Sequence, residues 1–114
     1  MSWNVLFHEA FEPEFDELPE AVQDELLAHA RLLEEFGPTL GRPRADTLNG
    51  SRHANMKELR FSNAGGIWRI AFVFDSGRNA ILLAASDKCD ANEDRFYRDL
   101  IRLADSRFAG HLAT

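Results

Sequence analysis

Between residues 56 and 85 the chain carries three strand-like segments with only short turns between them, and this limits the fold more than any other feature. Met56 to Phe61 is the first segment. Ile67 to Phe74 is the second, rich in aromatic and β-branched residues. Asp75-Ser-Gly-Arg-Asn79 turns the chain into the third, Ala80 to Ala85, whose unbroken apolar run suits a central strand buried on both faces. Hairpin connections of this kind join antiparallel neighbours, so the middle of the chain predicts one mainly antiparallel sheet.

The flanks read as helices. Val22, Leu26, Ala30, Leu33 and Phe36 recur at helical spacing. Pro19 suits the first turn and Gly37-Pro38 supplies the stop, which predicts a helix over 19–36. Glu9 to Leu18, interrupted by Pro13, holds at most a short helix or turn. Trp3, Val5 and Phe7 alternate as a first strand. Phe96, Leu100, Ala104 and Phe108 form one apolar stripe of a helix over 93–112, with Asn92 as its N-cap. Gly37 to Asn55 is a long connection dense in turn residues, and such loops tend to carry function. The expected order is β-α-α-β-β-β-α, an α+β fold with two N-terminal helices and a C-terminal helix on a mainly antiparallel sheet. A length of 114 residues supplies one core, so residues 1–114 read as a single domain.

Several function classes drop out. The longest apolar runs, Ile70 to Phe74 and Ala80 to Ala85, are far too short for a membrane span, and the N-terminus has no signal-peptide pattern. Cys89 is the only cysteine, which excludes an internal disulfide or thiolate metal cluster and fits a cytoplasmic protein. His8, His29, His53 and His111 lack metal-ligand spacing. Asp90 to Asp94 imitates the start of a calcium loop, but Arg95 and Ile101 stand where glycine and a bidentate carboxylate are needed. Gly65-Gly66 opens a strand rather than a phosphate-binding helix, and no nucleophile motif is present. The expectation is a protein with no metal and no small-molecule cofactor.

Charge is segregated. The net charge is −6, yet residues 1–36 hold ten acidic residues against one basic, and residues 37–88 hold eight basic against four acidic. An acidic protein is a poor non-specific nucleic-acid binder, and acidic helices read most simply as solvated faces. The basic middle still presents a cationic surface if those helices face elsewhere. Its chemistry-bearing residues are Lys57, Arg60, Arg69 and Lys88, with Tyr97 on the last helix.

Arg69 is the most informative of these, mid-strand in Ile-Trp-Arg-Ile-Ala-Phe-Val-Phe. A buried, unpaired guanidinium is very costly, so its face must be solvated, paired or functional. The common case is an Arg on the wet face of a half-covered sheet. The functional case is a cation aimed at phosphate, which the planar guanidinium fork suits. Strand alternation puts Lys57 and Arg60 on opposite faces unless a bulge intervenes or one ends the strand. Glu58 shares Arg60's face and reads as its pairing partner, and Tyr97, beside Phe96, reads as packing.

A set of motifs then occurs in a consistent order: Gly-Pro-Thr-Leu-Gly-Arg-Pro at 37–43, Asp46-Thr-Leu-Asn-Gly-Ser51 and Asn55-Met-Lys-Glu-Leu-Arg60. Trp68-Arg-Ile-Ala-Phe-Val-Phe-Asp75, Ala80-Ile-Leu-Leu83, Asp87-Lys88, Phe96-Tyr97 and Ala104-Asp105 follow. From the second helix onward the chain resembles the phage-derived RelE-like toxins, a HigB-type branch of the RelE/ParE superfamily of type II toxin–antitoxin systems. The resemblance implies a RelE-like fold and a ribosome-dependent mRNA endoribonuclease. It also implies a cognate helix-turn-helix antitoxin as partner, besides the ribosome and mRNA, and catalysis without metal by attack of the RNA's own 2′-OH on the adjacent phosphate. Carried over by position, Arg69 stabilises charge on the phosphate, Lys57 and Arg60 flank it, Lys88 ends the last strand, and Tyr97 orients a base or the 2′-OH. Two features depart from the pattern: Ala85-Ser86 stand where the family usually has glycine, and the N-terminal third is strongly acidic. The competing readings are a ParE-type gyrase inhibitor on the same fold, or a nuclease-inactive member. Lys57, Arg60, Arg69 and Lys88 together favour the nuclease.

Overall fold

Alternation along the central strand decides which helices cover which face. The computed structural model describes residues 3–63, 65–88 and 93–113, so Cys89 and the expected N-cap Asn92 lie outside the described residues. In chain order the elements are β1 (Asn4–Phe7), α1 (Phe11–Asp16), α2 (Glu20–Phe36), β2 (Ala45–Thr47), β3 (Met56–Asn63), β4 (Gly66–Phe74), β5 (Asn79–Lys88) and α3 (Glu93–Leu112). They build a five-stranded sheet in the order β1-β5-β4-β3-β2. Only the β1–β5 pairing is parallel.

Ile70, Phe72 and Phe74 of β4 bury against Phe11 of α1 and Val22, Leu26 and Leu33 of α2, with Trp68 partly buried beside them. Ala71 and Val73 point the other way, into Phe96, Leu100, Ala104 and Phe108 of α3. Both faces of β4 and β5 are therefore covered, which explains the unbroken apolar run of Ala80 to Ala84. Among the described residues no helix is long and apolar enough to cross a membrane.

The expected order lacks one element. β2 is a three-residue strand inside the long loop, paired antiparallel with β3 through Ala45↔Leu59 and Thr47↔Lys57. It is too short to carry a periodicity of its own and exists because β3 offers it an edge. β5 also runs past its apolar stretch to Lys88, because β4 continues to supply a partner as far as Ile67. A bulge interrupts this pairing: Phe72 faces Leu82 while Ala71 faces Ala84. Leu83 and Ala84 consequently both point at α3, and Ser86 arrives opposite Arg69.

Two local contacts fix the helices to the sheet. α2 ends at Gly37, whose φ of 55° is a conformation L side chains avoid. The Trp3 indole lies against its Cα, where a Cβ would collide with the ring. Gly37→Ala should cost about 1–3 kcal/mol through backbone strain, read as a lower midpoint in urea unfolding. An unchanged midpoint would show that the β1 end yields freely.

At the other end, Arg107 of α3 donates to Glu14 of α1 (Nη1 to Oε1, 2.9 Å) and to the Leu83 carbonyl at 2.7 Å. This bidentate pair holds Glu14 below the usual carboxylate range, chiefly through the hydrogen bond from Arg107. A carboxylate lowered in the folded state contributes stability that is present above its unfolded pKa and fades as pH falls through its folded pKa. Glu14→Gln should therefore lower the melting temperature at neutral pH, by a cost of at most about 1 kcal/mol for a pair whose carboxylate is half exposed. The difference from the parent should vanish in acid, and a difference that persists there would rule out the ion pair as its source.

Candidate active site under the C-terminal helix

β3 and β4 place two arginines directly opposite one another, Arg60↔Arg69, on the face that α3 covers. Like charges in that relation repel unless a counter-charge joins them. Glu58, two residues before Arg60 on the same face, is that counter-charge. Its Oε1 accepts from Arg60 Nε at 2.9 Å and from the Tyr97 hydroxyl at 3.0 Å, and lies 3.4 Å from Arg69 Nε. Arg69 Nε also donates to the Tyr97 hydroxyl oxygen. Its guanidinium carbon sits 5.4 Å from the Tyr97 ring centroid and 5.9 Å from that of Phe96.

The wet-face reading of Arg69 is thereby corrected. Arg69 is 7% exposed and Glu58 2%, because α3 lies over this face. The cost of burying Arg69 is met by pairing with Glu58 and by the aromatic rings. The pairing is incomplete: Arg69 Nη1 is buried and has no hydrogen-bond partner. A buried cationic donor without a partner is an exception that packing alone does not account for.

Tyr97 does more than pack. Burial is the main reason its hydroxyl titrates above its usual range, and the Glu58 charge adds to the effect. The phenol therefore keeps its proton at neutral pH and serves as a donor. Arg60 is pushed further into its cationic form, first by its hydrogen bond to Glu58. At the rim, Asp46 accepts from Arg42 Nε at 3.0 Å and lies 3.7 Å from Arg60 Nη2. Asp46 is held below the usual carboxylate range, first by the Thr47 backbone N–H. Arg42, Asp46, Thr47, Glu58, Arg60 and Tyr97 enclose a cleft of about 410 Å³.

The remaining sequence candidates fall elsewhere. Lys57 pairs with Phe72 across a β3–β4 ladder that has no bulge, so alternation puts it on the opposite face, with Leu59 and Phe61. It does not join Arg60 and Arg69. Lys88 closes β5 in register with Ile67, and its side chain lies outside the described part of the structure. Glu58 is the member that the residue pattern undervalued. Its spacing from Arg60 was the available signal, and only the fold reveals that it joins three groups. Among the described residues no three His, Cys, Asp or Glu side chains converge as a metal site.

A second and larger hollow, of about 810 Å³, runs along α3 from Tyr97 past Arg98 and Arg102, with Arg52 on its far wall. The loop carrying Arg52 is pinned to α3 by Asp105, which accepts from the Ser51 hydroxyl at 2.5 Å and from the Arg52 backbone N–H at 3.1 Å.

The chain is related to known proteins along most of its length. Residues 13–109 match the family described as phage derived protein Gp49-like. The candidate toxin HigB2 of Mycobacterium tuberculosis is 48% identical over 89 residues, covering 77% of this chain and 44% of that protein. The candidate toxin HigB3 of the same organism is 51% identical over 83 residues, covering 73% and 70%. The chain thus spans less than half the length of HigB2 and about two thirds of HigB3. In structure, the E. coli toxin RelE, solved as a substituted form in the free state, superposes with a TM-score of 0.66 over 94% of this chain and 98% of RelE. At 16% identity that likeness carries the fold alone. The chain therefore belongs to the phage-derived Gp49-like family, as a HigB-type member built on the RelE fold.

Proposed function

We propose that this protein is the toxin of a type II toxin–antitoxin module and acts as a ribosome-dependent mRNA endoribonuclease, restrained by a cognate antitoxin. The observation that carries the reading is the pair of facing arginines with one guanidinium nitrogen left unpartnered beside a protonated tyrosine. Cleavage by the RNA's own 2′-OH forms a bond from that oxygen to phosphorus and breaks the bond to the 5′-oxygen, leaving a cyclic phosphate. The chemistry asks the protein for donors aimed at the developing phosphate charge, held in place beforehand. Arg69 supplies the unpartnered donor, which meets the phosphate once α3 shifts to uncover it, and Arg60 adds charge at the cleft wall. Tyr97 fixes Arg69 from α3. Glu58, the carboxylate that Arg60 and Tyr97 share, is assigned the proton that the 2′-OH releases. The toxin names carried by the Mycobacterium tuberculosis relatives support the toxin part of this reading. Lys57, on the far face, takes no part in it.

The test is a purified translation reaction with ribosomes and a defined message, in which new 5′ ends are mapped with and without the protein. New ends that require ribosomes are expected. An intact message with translation still running would overturn the nuclease reading and move the weight to gyrase inhibition or an inactive member, with DNA supercoiling as the next assay.

A further inference from the structure

We propose that the groove beside α3, formed by Arg98, Arg102 and Arg52, binds the phosphate backbone of single-stranded RNA as the message leaves the Arg69 cluster. The proposal rests on the nuclease reading and extends it to the residues that hold the flanking nucleotides. Tyr97 lines both hollows, so a strand seated in the smaller cleft passes directly into the larger groove.

The groove is lined by three arginines. Arg98 and Arg102 stand one helical turn apart on the same face of α3, a spacing at which like charges weaken a helix. Both are exposed, as is Arg52 opposite. Among the described residues none of the three guanidinium groups forms a salt bridge. Two acids also line the groove, Asp94 and Asp105, and Asp105 is occupied by Ser51 and the Arg52 backbone. That occupation fixes the loop backbone, from which the exposed Arg52 side chain extends. Arg98 and Arg102 are separated by about 6 Å along the helix axis, which suits successive phosphates of an extended strand. In a chain of net charge −6, three arginines against two acids leave this groove with a formal charge of +1 beside the proposed scissile site.

Binding of a short fluorescein-labelled oligouridylate, followed by anisotropy across a series of KCl concentrations, tests this. Each phosphate contact to a single strand contributes about 0.7 to the slope of log K against log salt, so R98Q/R102Q should reduce that slope by about 1.4. Both positions are on an exposed helix face, and an unchanged melting temperature checks that the variant folds. An unchanged slope, or no oligouridylate binding by the unsubstituted chain, would overturn the groove assignment. So would an equal loss of affinity for polyglutamate, which would identify the groove as a site for an acidic polypeptide. Loss of binding to message-free ribosomes, with cleavage at saturating ribosomes unaffected, would assign the groove to ribosomal RNA and likewise overturn it. None of these outcomes touches the nuclease reading, which fails only if the unsubstituted protein leaves ribosome-bound message intact.

Discussion

Arg69→Ala is expected to reduce message cleavage by at least about 10²–10³-fold, the loss typical of removing one preorganised donor from a developing negative charge. The protein should still fold. Glu58 keeps two of its partners, Arg60 and Tyr97, so the substitution does not strand the buried carboxylate. Arg69→Lys separates charge from shape. A lysine retains the cation but loses the planar fork and its stacking against Phe96 and Tyr97, so its rate should fall between the two. Cleavage rate and circular-dichroism melting are read on the same preparations. A folded Arg69→Ala protein that cuts at the parental rate would remove Arg69 from the site. An unfolded one would make the residue structural, and the lysine variant would then carry the catalytic comparison.

Glu58→Ala should have the largest effect on stability, about 3–5 kcal/mol, the usual consequence of leaving buried charge without its partner. In its absence Arg60 and Arg69 face each other across the β3–β4 ladder with no carboxylate between them, and the Tyr97 hydroxyl loses its acceptor. Glu58→Gln retains an acceptor oxygen of similar shape while removing the negative charge, so it should lose less stability than alanine does. If Glu58 takes the 2′-OH proton, the glutamine variant should still lose cleavage. Urea unfolding gives the stability comparison. A Glu58→Ala protein as stable as its parent would mean that α3 lifts away and lets water solvate the arginines.

The parts of the fold that were legible in the sequence are those with a long periodic signal. The 19–36 and 93–112 helices and the Trp68, Ile70, Phe72 and Phe74 stripe of β4 appear where their spacing places them. β2 was not legible, because three residues in a loop rich in glycine and proline carry no period. It is made by non-local pairing, which also supplies the Arg60 N–H with the Arg44 carbonyl. The candidate site was legible in its members more than in their relations. Arg60, Arg69 and Tyr97 converge, and parity alone warned that Lys57 would not join them. Neither the covering of Arg69's face by α3 nor the joining role of Glu58 could be read from local pattern. Both depend on which face of the sheet α3 chooses, and that choice is made by Phe96, Leu100, Ala104 and Phe108 docking on Ala71 and Val73.

The bulge in β5 has a consequence for insertions and deletions. Leu83 is one residue of slack in an otherwise regular ladder, flanked by the Phe72↔Leu82 and Ala71↔Ala84 pairs. Deleting it closes the ladder at the cost of one core side chain and of the carbonyl that Arg107 holds, and leaves Ser86 still facing Arg69. Deleting Ser86 with the bulge retained brings the Asp87 carboxylate opposite Arg69 in its place. β5 thus has one position at which the chain can shorten without moving the site, and a relative missing one residue there keeps its arginine cluster in register.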